Sequence, residues 1–269
     1  MSQIQENLNY QILGDDSSPK LVFLHGIMGQ GRNWASIAKR FSRNFQCLIY
    51  DQRGHGKSFQ PQSGFTLEDY SKDLEDLLNS LGWNEPIYLV GHSMGGRVAL
   101  NFAHQNPERV KKLVIVDIGP SSDWQSMAAI IEKLDFVPTP FDSREEARGF
   151  FDQQFLPRYG NKMISDFFYS NLSSQNGQFD WIFSKELIRK TLETSRNRDY
   201  WAEFKELSME TMFIRGGKST DLKKDDFEKV LANNSRIQGV EVAEAGHWVH
   251  AEKPTETIRI IEDFFNIAG

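Results

Sequence analysis

The sequence predicts an α/β protein: a mostly parallel central sheet flanked by helices, with an inserted helical cap. Short, continuous apolar runs alternate with segments of helical periodicity, as expected of strands buried on both faces. Glycine-rich loops follow several of these runs, and open α/β sheets place their sites in such loops. The alternation stops between residues 121 and 207 and then resumes. We therefore predict a core domain of residues 1–120 and 208–269, with residues 121–207 forming the cap.

Composition limits the possible functions. The chain has 269 residues, of which 39% are hydrophobic, enough for one large core. A net charge of −6 with interspersed signs argues against a nucleic-acid partner, and no apolar stretch is long enough for a membrane span. The first residues lack the pattern of a secretory signal, and the single Cys47 forms no internal disulfide. We expect a cytoplasmic monomer or homodimer.

The first elements lead to a glycine-rich loop. Residues 10–13 have the pattern of an edge strand or one arm of a hairpin, and residues 21–24 that of a buried strand. The loop of residues 25–31 follows that strand directly. Asn33 is predicted to cap a helix over residues 34–41.

The next unit repeats this pattern. Residues 47–50 form a predicted strand, and in the following loop we expect Asp51 to pair with Arg53 and His55 to bond to backbone. This loop is expected to shape the floor of the site without reacting. Thr66 is predicted to begin an amphipathic helix that Gly82 ends.

A Gly-X-Ser-X-Gly run with Ser93 at its centre follows the apolar strand 87–90 and opens a helix. At such a corner the central residue is strained, and Gly91 and Gly95 allow strand and helix to approach closely. The unpaired amide of Met94 points toward the serine, so we predict it as an oxyanion donor. Ile27, in the loop after the first buried strand, is the predicted second donor.

The remainder of the chain supplies an acid and a base. Residues 113–116 form a predicted strand that ends at Asp117. The cap segment is helical in pattern, holds ten of the twenty phenylalanines and has no strand-like run, which indicates an apolar acyl or ring pocket beneath it. After it we predict strands at residues 212–214 and 239–242 and helices at 224–232 and 254–265. His247 follows the last strand and is the predicted general base.

This order, serine, acid and histidine, is that of the α/β-hydrolase superfamily, which the chain resembles over essentially its whole length. The resemblance is carried by residues 25–26, 51–56, 91–96 and 246–247. Residues 91–96, 116–120 and 246–254 also resemble the YbfF-type bacterial carboxylesterases and their mitochondrial relatives. This resemblance implies a serine carboxylesterase for small or medium acyl esters, acting through an acyl-enzyme without a cofactor or metal.

Two carboxylates compete for the role of triad acid. In many relatives the acid follows the strand at 212–214, about three residues after its glycine, and counting from Gly216 gives Ser219, which carries no charge. Asp221 is the nearest carboxylate there. Asp117 lies at the end of the strand after the nucleophile strand, and the YbfF-type resemblance places the acid in this segment. We therefore predict Asp117, with Asp221 as the alternative.

Two other functions stay open. Residues 25–29 and Arg97 resemble the menaquinone-pathway synthase, which implies carbon–carbon bond hydrolysis or an elimination on a carboxylated ring substrate. The second alternative is a non-catalytic ligand receptor on a hydrolase scaffold. His25, Arg97 and Trp248 are candidate substrate-binding residues. His250 lacks a third ligand that would make a metal site with His247, so we expect it to be packed or solvated.

Overall fold

The computed structural model describes residues 8–122, 124–196 and 198–267. Residues 1–7, in which we expect no signal segment, lie outside the described residues. So do residues 268–269, at the end of the predicted core domain. No described helix combines the length and the apolar character needed to cross a bilayer.

The core is a seven-stranded sheet in the order β1-β3-β2-β4-β5-β8-β9. Only the edge strand β1 runs antiparallel, against β3, and the other pairs are parallel. This confirms the predicted mostly parallel sheet. The described strands are β1 Tyr10–Leu13, β2 Lys20–Leu24, β3 Gln46–Tyr50, β4 Ile87–His92, β5 Val110–Val116, β6 Leu172–Gln175, β7 Gln178–Trp181, β8 Glu210–Gly216 and β9 Ile237–Val242.

Helices cover both faces of this sheet and fill the segment between β5 and β8. Those of the core are α1 Ala35–Phe41, α2 Leu67–Ser80, α3 Met94–Gln105, α10 Lys224–Asn233, α11 Val249–Glu252 and α12 Pro254–Phe265. Those between β5 and β8 are α4 Trp124–Phe136, α5 Arg144–Phe150, α6 Leu156–Tyr159, α7 Lys162–Ser170, α8 Lys185–Thr194 and α9 Trp201–Glu206, with a π-helical turn at Phe151–Phe155.

Alternate residues of the central strands enter two separate apolar cores. On β2, Val22 and Leu24 belong to the core formed with α2, α3 and helices between β5 and β8, whereas Leu21 and Phe23 belong to the core formed with α1 and α12. Because both faces are covered, the strands consist almost entirely of apolar residues. The carboxyl ends of β2, β4 and β5 lie side by side and position the loops that follow them.

Two helix starts test the predicted caps. Thr66 caps α2 as predicted: its hydroxyl accepts from the Asp69 amide, and the Asp69 carboxylate accepts from the Thr66 amide. The Asn33 prediction is wrong, because a 3₁₀ turn precedes α1 and the Asn33 side chain accepts a hydrogen bond from the Gln30 amide at 2.6 Å. The side chain therefore closes the turn instead of capping the helix.

The cap segment contains a hairpin that the sequence analysis did not predict. Strands β6 and β7 pair antiparallel, and Asn176 and Gly177 between them have φ angles of 51° and 86°. An Asn-Gly pair with two positive φ angles is the preferred two-residue hairpin turn, so the signal was present in the sequence. Within the described residues the elements between β5 and β8 add no strand to the large sheet. The division into core and cap stays a prediction.

Candidate active site

Ser93 lies at the sharp corner between β4 and α3. Its φ and ψ angles are 53° and −123°, a conformation strained for a residue with a side chain. A Cβ atom at Gly91 would lie 2.3 Å from the Gly95 carbonyl oxygen, so strand and helix are as close as predicted. The Ser93 amide donates to the Val116 carbonyl oxygen at 3.0 Å, which ties the corner to β5.

Two backbone amides beside Ser93 are available to an oxyanion. Within residues 8–122, 124–196 and 198–267, the amides of Ile27 and Met94 donate no hydrogen bond to the protein. The next amide of the first loop, that of Met28, donates to His55 Nε2 at 3.1 Å. Ile27 and Met94 therefore keep the free donors that the predicted oxyanion site requires.

His247 meets the predicted acid. Its Nδ1 lies 2.8 Å from Asp117 Oδ2 and 3.6 Å from Asp221 Oδ2. Asp117 is fully buried, and it also accepts hydrogen bonds from the Gly216 amide at 2.7 Å and from the Ser219 hydroxyl. These donors compensate the buried carboxylate charge. Ser219 thus contributes a hydroxyl to the carboxylate of Asp117.

The surroundings of His247 favour a basic ring. Burial lowers the pKa of the imidazole, but the hydrogen bond to Asp117 and the charges of Asp221 and Asp117 raise it, and the net pKa lies above its usual value. With Nδ1–H donating to Asp117, Nε2 is left unprotonated and able to accept a proton. This is the tautomer that a general base needs.

Ser93 and His247 line one cavity of about 840 Å³, together with residues of α4 and α7. Among the described residues the Ser93 hydroxyl makes no hydrogen bond, so the link between nucleophile and base is open in this structure. Such bonds are often long until substrate is bound. Ser93, His247 and Ile27 line this cavity, Asp117 contacts the ring of His247 from behind, and Met94 follows Ser93 at the start of α3.

His92, which precedes the nucleophile, has a role that the sequence analysis missed. Its Nε2 donates to the backbone carbonyl oxygen of His247 at 2.9 Å, and burial lowers its pKa well below the usual value. The neutral ring therefore holds the loop that carries the base. His250 is packed as expected: it stacks on Trp34 with ring centroids 4.3 Å apart, and burial lowers its pKa to about 3. In the described part of the chain no three His, Cys, Asp or Glu side chains are grouped to hold a metal ion.

All three candidate substrate-binding residues line a cavity. Trp248 lines the larger cavity and packs edge-on against His247, with ring centroids 5.4 Å apart. Arg97 is buried and lines a second, smaller cavity next to Ser93. Its Nη2 donates to the Ser121 carbonyl oxygen at 3.0 Å, and its Nε has no partner among the described residues.

His25 does not fit the predicted substrate-binding role. Its ring borders the larger cavity, but Nδ1 donates to the Gly26 carbonyl oxygen at 2.8 Å and Nε2 accepts from the Gln52 amide at 2.9 Å. Burial lowers its pKa to about 4, so the ring is neutral. Because both ring nitrogens are occupied by backbone, His25 fixes the loops around the site and has no polar atom left for a substrate.

The loop after β3 is structural, but its ion pair differs from the prediction. Arg53 forms a bidentate pair with Asp73 of α2, with both distances 2.6 Å, instead of pairing with Asp51. The Asp51 carboxylate accepts from the amides of Gly31 at 2.8 Å and Lys57 at 2.9 Å. A carboxylate that accepts several amide hydrogens holds two loops without a cation. The predicted backbone bonding of His55 is confirmed by its contact with Met28.

Comparison with known proteins finds a matching family model, related lipases and a similar solved esterase structure. The model of a family described as alpha/beta hydrolase fold matches residues 19–254. The sn-1-specific diacylglycerol lipase ABHD11 of Danio rerio is 34% identical over 96% of this chain and 82% of its own length, and that of Mus musculus is 32% identical over 96% and 84%. A solved structure titled marine microorganism esterase has a TM-score of 0.84 and 27% identity, covering 96% of this chain and 99% of its own.

Proposed function

Because this chain belongs to the α/β-hydrolase family, we propose that it is a serine carboxylesterase with Ser93, His247 and Asp117 as its triad. The predicted fold and the predicted membership of the α/β-hydrolase superfamily are confirmed by the matches. The single observation that carries the triad is the 2.8 Å contact between His247 and the buried Asp117, in a site that also holds Ser93 at a strained corner. The esterase and lipase relatives support carboxylic esters as the substrate class.

In the proposed mechanism His247 removes the Ser93 proton as the hydroxyl oxygen attacks the ester carbonyl carbon. The amides of Ile27 and Met94 bind the oxyanion of the tetrahedral intermediate. His247 then gives the proton to the alcohol oxygen, the carbon–oxygen ester bond breaks, and an acyl group remains on Ser93. Water, deprotonated by His247, attacks this acyl-enzyme, and the acid leaves as Ser93 is reprotonated.

The test is the Ser93→Ala variant. We expect turnover of 4-nitrophenyl butanoate to fall by about a thousandfold or more with the fold intact, because the nucleophile is lost. Ser126→Ala is the matched control, since Ser126 lines the same cavity from helix α4. A fluorophosphonate should label the wild type and Ser126→Ala but not Ser93→Ala. Unchanged hydrolysis by Ser93→Ala would refute the proposal, and a wild type that is neither labelled nor active would favour the ligand-receptor alternative.

Arg97 favours a second candidate, a hydrolase or elimination enzyme for a carboxylated substrate. It is a buried cation beside Ser93 that forms no ion pair with the described residues, and Asp221 lines the same cavity and acts on it electrostatically. If it binds a substrate carboxylate, the hemi-ester benzyl hydrogen succinate should be hydrolysed faster than benzyl 4-methylpentanoate, whose acyl group has the same shape without charge. Arg97→Met should abolish this preference. Turnover of carboxylated ring substrates without turnover of simple esters would replace the esterase proposal by this one.

A further inference from the structure

Two cavities meet at Ser93, and they differ in size and in lining. The larger, which we call the His247 chamber, has a volume of about 840 Å³ and is lined by His247, Trp248 and residues of α7. The smaller, which we call the Met127 chamber, has a volume of about 60 Å³ and is lined by Met94 and Met127, by the charged Arg97 and Asp221 and by other residues, but not by His247. Both reach Ser93, so a bound ester has two directions open to it.

The chemistry assigns a direction to each half of the ester. His247 must protonate the alcohol oxygen as it leaves, so the alcohol half lies on the side of His247. The acyl carbon stays bonded to Ser93 while its oxygen contacts the amides of Ile27 and Met94. Ile27 lines both chambers, whereas Met94 lines only the Met127 chamber.

We infer that the Met127 chamber holds the acyl chain and that the His247 chamber holds the alcohol, so the enzyme cleaves short-chain acyl esters of bulky alcohols. This inference rests on the proposed esterase function and specifies its substrate class. One water-sized group needs about 10–15 Å³ of such space, so a 60 Å³ chamber accepts about four to six groups. Acyl chains of up to about six carbons fit this limit. The His247 chamber lies within the size range of sites for much larger molecules.

The walls of the Met127 chamber explain why it is short. Ile118, next to the acid, and Met127 of α4 are 9% and 7% exposed, and Leu192 of α8 is 6% exposed, so the apolar wall has little open space behind it. Ile164 and Phe167 of α7 line only the His247 chamber. Helix α8 therefore lines only the Met127 chamber and α7 only the His247 chamber, while α4 lines both.

The first test varies one half of the ester at a time. With 4-nitrophenyl esters from acetate to dodecanoate, kcat/KM should rise about fourfold per methylene while the chain fits, following the free energy of methylene burial. It should fall about tenfold or more between hexanoate and decanoate, because overpacking is costly. Among butanoates of methanol, benzyl alcohol and pyrenylmethanol, kcat/KM should not fall with alcohol size.

The second test changes each chamber separately. Met127→Ala removes about three non-hydrogen atoms, so the best acyl chain should lengthen by about two or three carbons. Ile164→Ala, the matched control in the His247 chamber, should leave the best acyl length unchanged while altering the ranking of alcohols. Because each readout is a ratio between substrates, a partly unfolded variant does not alter it.

The outcomes separate this inference from the proposed function. Hydrolysis that is best with dodecanoate in the wild type, or a best acyl length that moves in Ile164→Ala but not in Met127→Ala, would overturn the chamber assignment while leaving the esterase intact. If no ester in either series is hydrolysed and a fluorophosphonate does not label Ser93, the proposed function itself fails.

Discussion

Replacing Asp117 by asparagine is the sharpest test of the triad assignment. Asp117 has a φ of 49°, and asparagine tolerates this left-handed conformation well, so the backbone should be unchanged. The new side-chain oxygen can still accept from the Gly216 amide, which now donates to Asp117 at 2.7 Å. The new NH₂ group then faces His247 Nδ1, where a carboxylate oxygen now lies at 2.8 Å.

The size of the effect follows from two losses. An NH₂ group only donates, so His247 Nδ1 becomes an acceptor and its proton moves to Nε2, which can no longer deprotonate Ser93. The imidazolium of the transition state also loses a charge-assisted hydrogen bond, worth about 1.5–3 kcal/mol. Moving the His247 proton back to the tautomer that can deprotonate Ser93 costs a similar free energy. The activation free energy therefore rises by close to about 5 kcal/mol, and we expect kcat/KM to fall about 10⁴-fold.

Asp221→Asn is the matched control, because Asp221 is the alternative acid and lies 3.6 Å from the same ring nitrogen. Its side chain is 29% exposed, so solvent screens its charge, and we expect kcat/KM at alkaline pH to stay within about threefold of wild type. A nearby carboxylate favours the protonated ring and raises the pKa of His247, so removing it lowers that pKa. The acidic limb of kcat/KM should therefore shift to lower pH.

The assay is kcat/KM for 4-nitrophenyl butanoate from about pH 5 to about pH 9, with circular dichroism as the check on folding. If Asp221→Asn loses about 10⁴-fold and Asp117→Asn stays near wild type, the acid is Asp221 and the assignment is wrong. Equal and small losses in both variants would show that neither carboxylate alone orients the ring.

Three further predictions concern stability. Ser219→Ala removes a donor from the buried Asp117 carboxylate, so urea titration should show a free energy of unfolding lower by about 1.5–3 kcal/mol, and an unchanged midpoint would contradict this. Ser93→Gly relieves the strain at a φ of 53°, so it should melt about 2–4 °C higher than Ser93→Ala, and a lower melting temperature would count against strain at the corner. Burial lowers the pKa of His55 and of His250 to about 3 from 6.5, so below about pH 6.5 the unfolded chain binds more protons than the folded protein. The free energy of unfolding should therefore fall as the pH drops from about 6.5, by up to about 1.4 kcal/mol per pH unit for each ring. Melting temperatures measured across this range test it, and the variant His55→Gln should show a shallower fall.

The parts of the fold that the sequence predicted well are those with a local signal. Helix α12 has the predicted bounds, because Pro254 suits a first helical turn and apolar residues recur at helical spacing after it. The mostly parallel sheet could be predicted because consecutive apolar runs alternate with helices. The hairpin in the cap had a local signal at Asn176 and Gly177, but the polar strands around it hid their alternation.

The errors at the site involve partners that lie far apart in the sequence. Arg53 pairs with Asp73, twenty positions away on α2, and nothing in the loop of Arg53 distinguishes this partner from the nearby Asp51. The ring of His92 binds the carbonyl of His247, 155 positions later. Such contacts depend on how helices and loops pack over the sheet, which periodicity and motif spacing do not encode.

Three neighbouring strands, β4, β5 and β8, hold the members of the proposed triad in place. Ser93 and Asp117 follow the ends of β4 and β5, and their amides donate to the carbonyl oxygens of Val116 at 3.0 Å and Ile214 at 2.8 Å, each on the neighbouring strand. Both have positive φ angles, so each chain turns sharply just where its side chain is needed. The base joins this unit at two points, through the ring contact with Asp117 and the backbone contact with His92, the last residue of β4. None of these contacts involves residues 121–207, so substitutions in the helices of that segment can alter the cavities at Ser93 without moving the residues of the proposed triad.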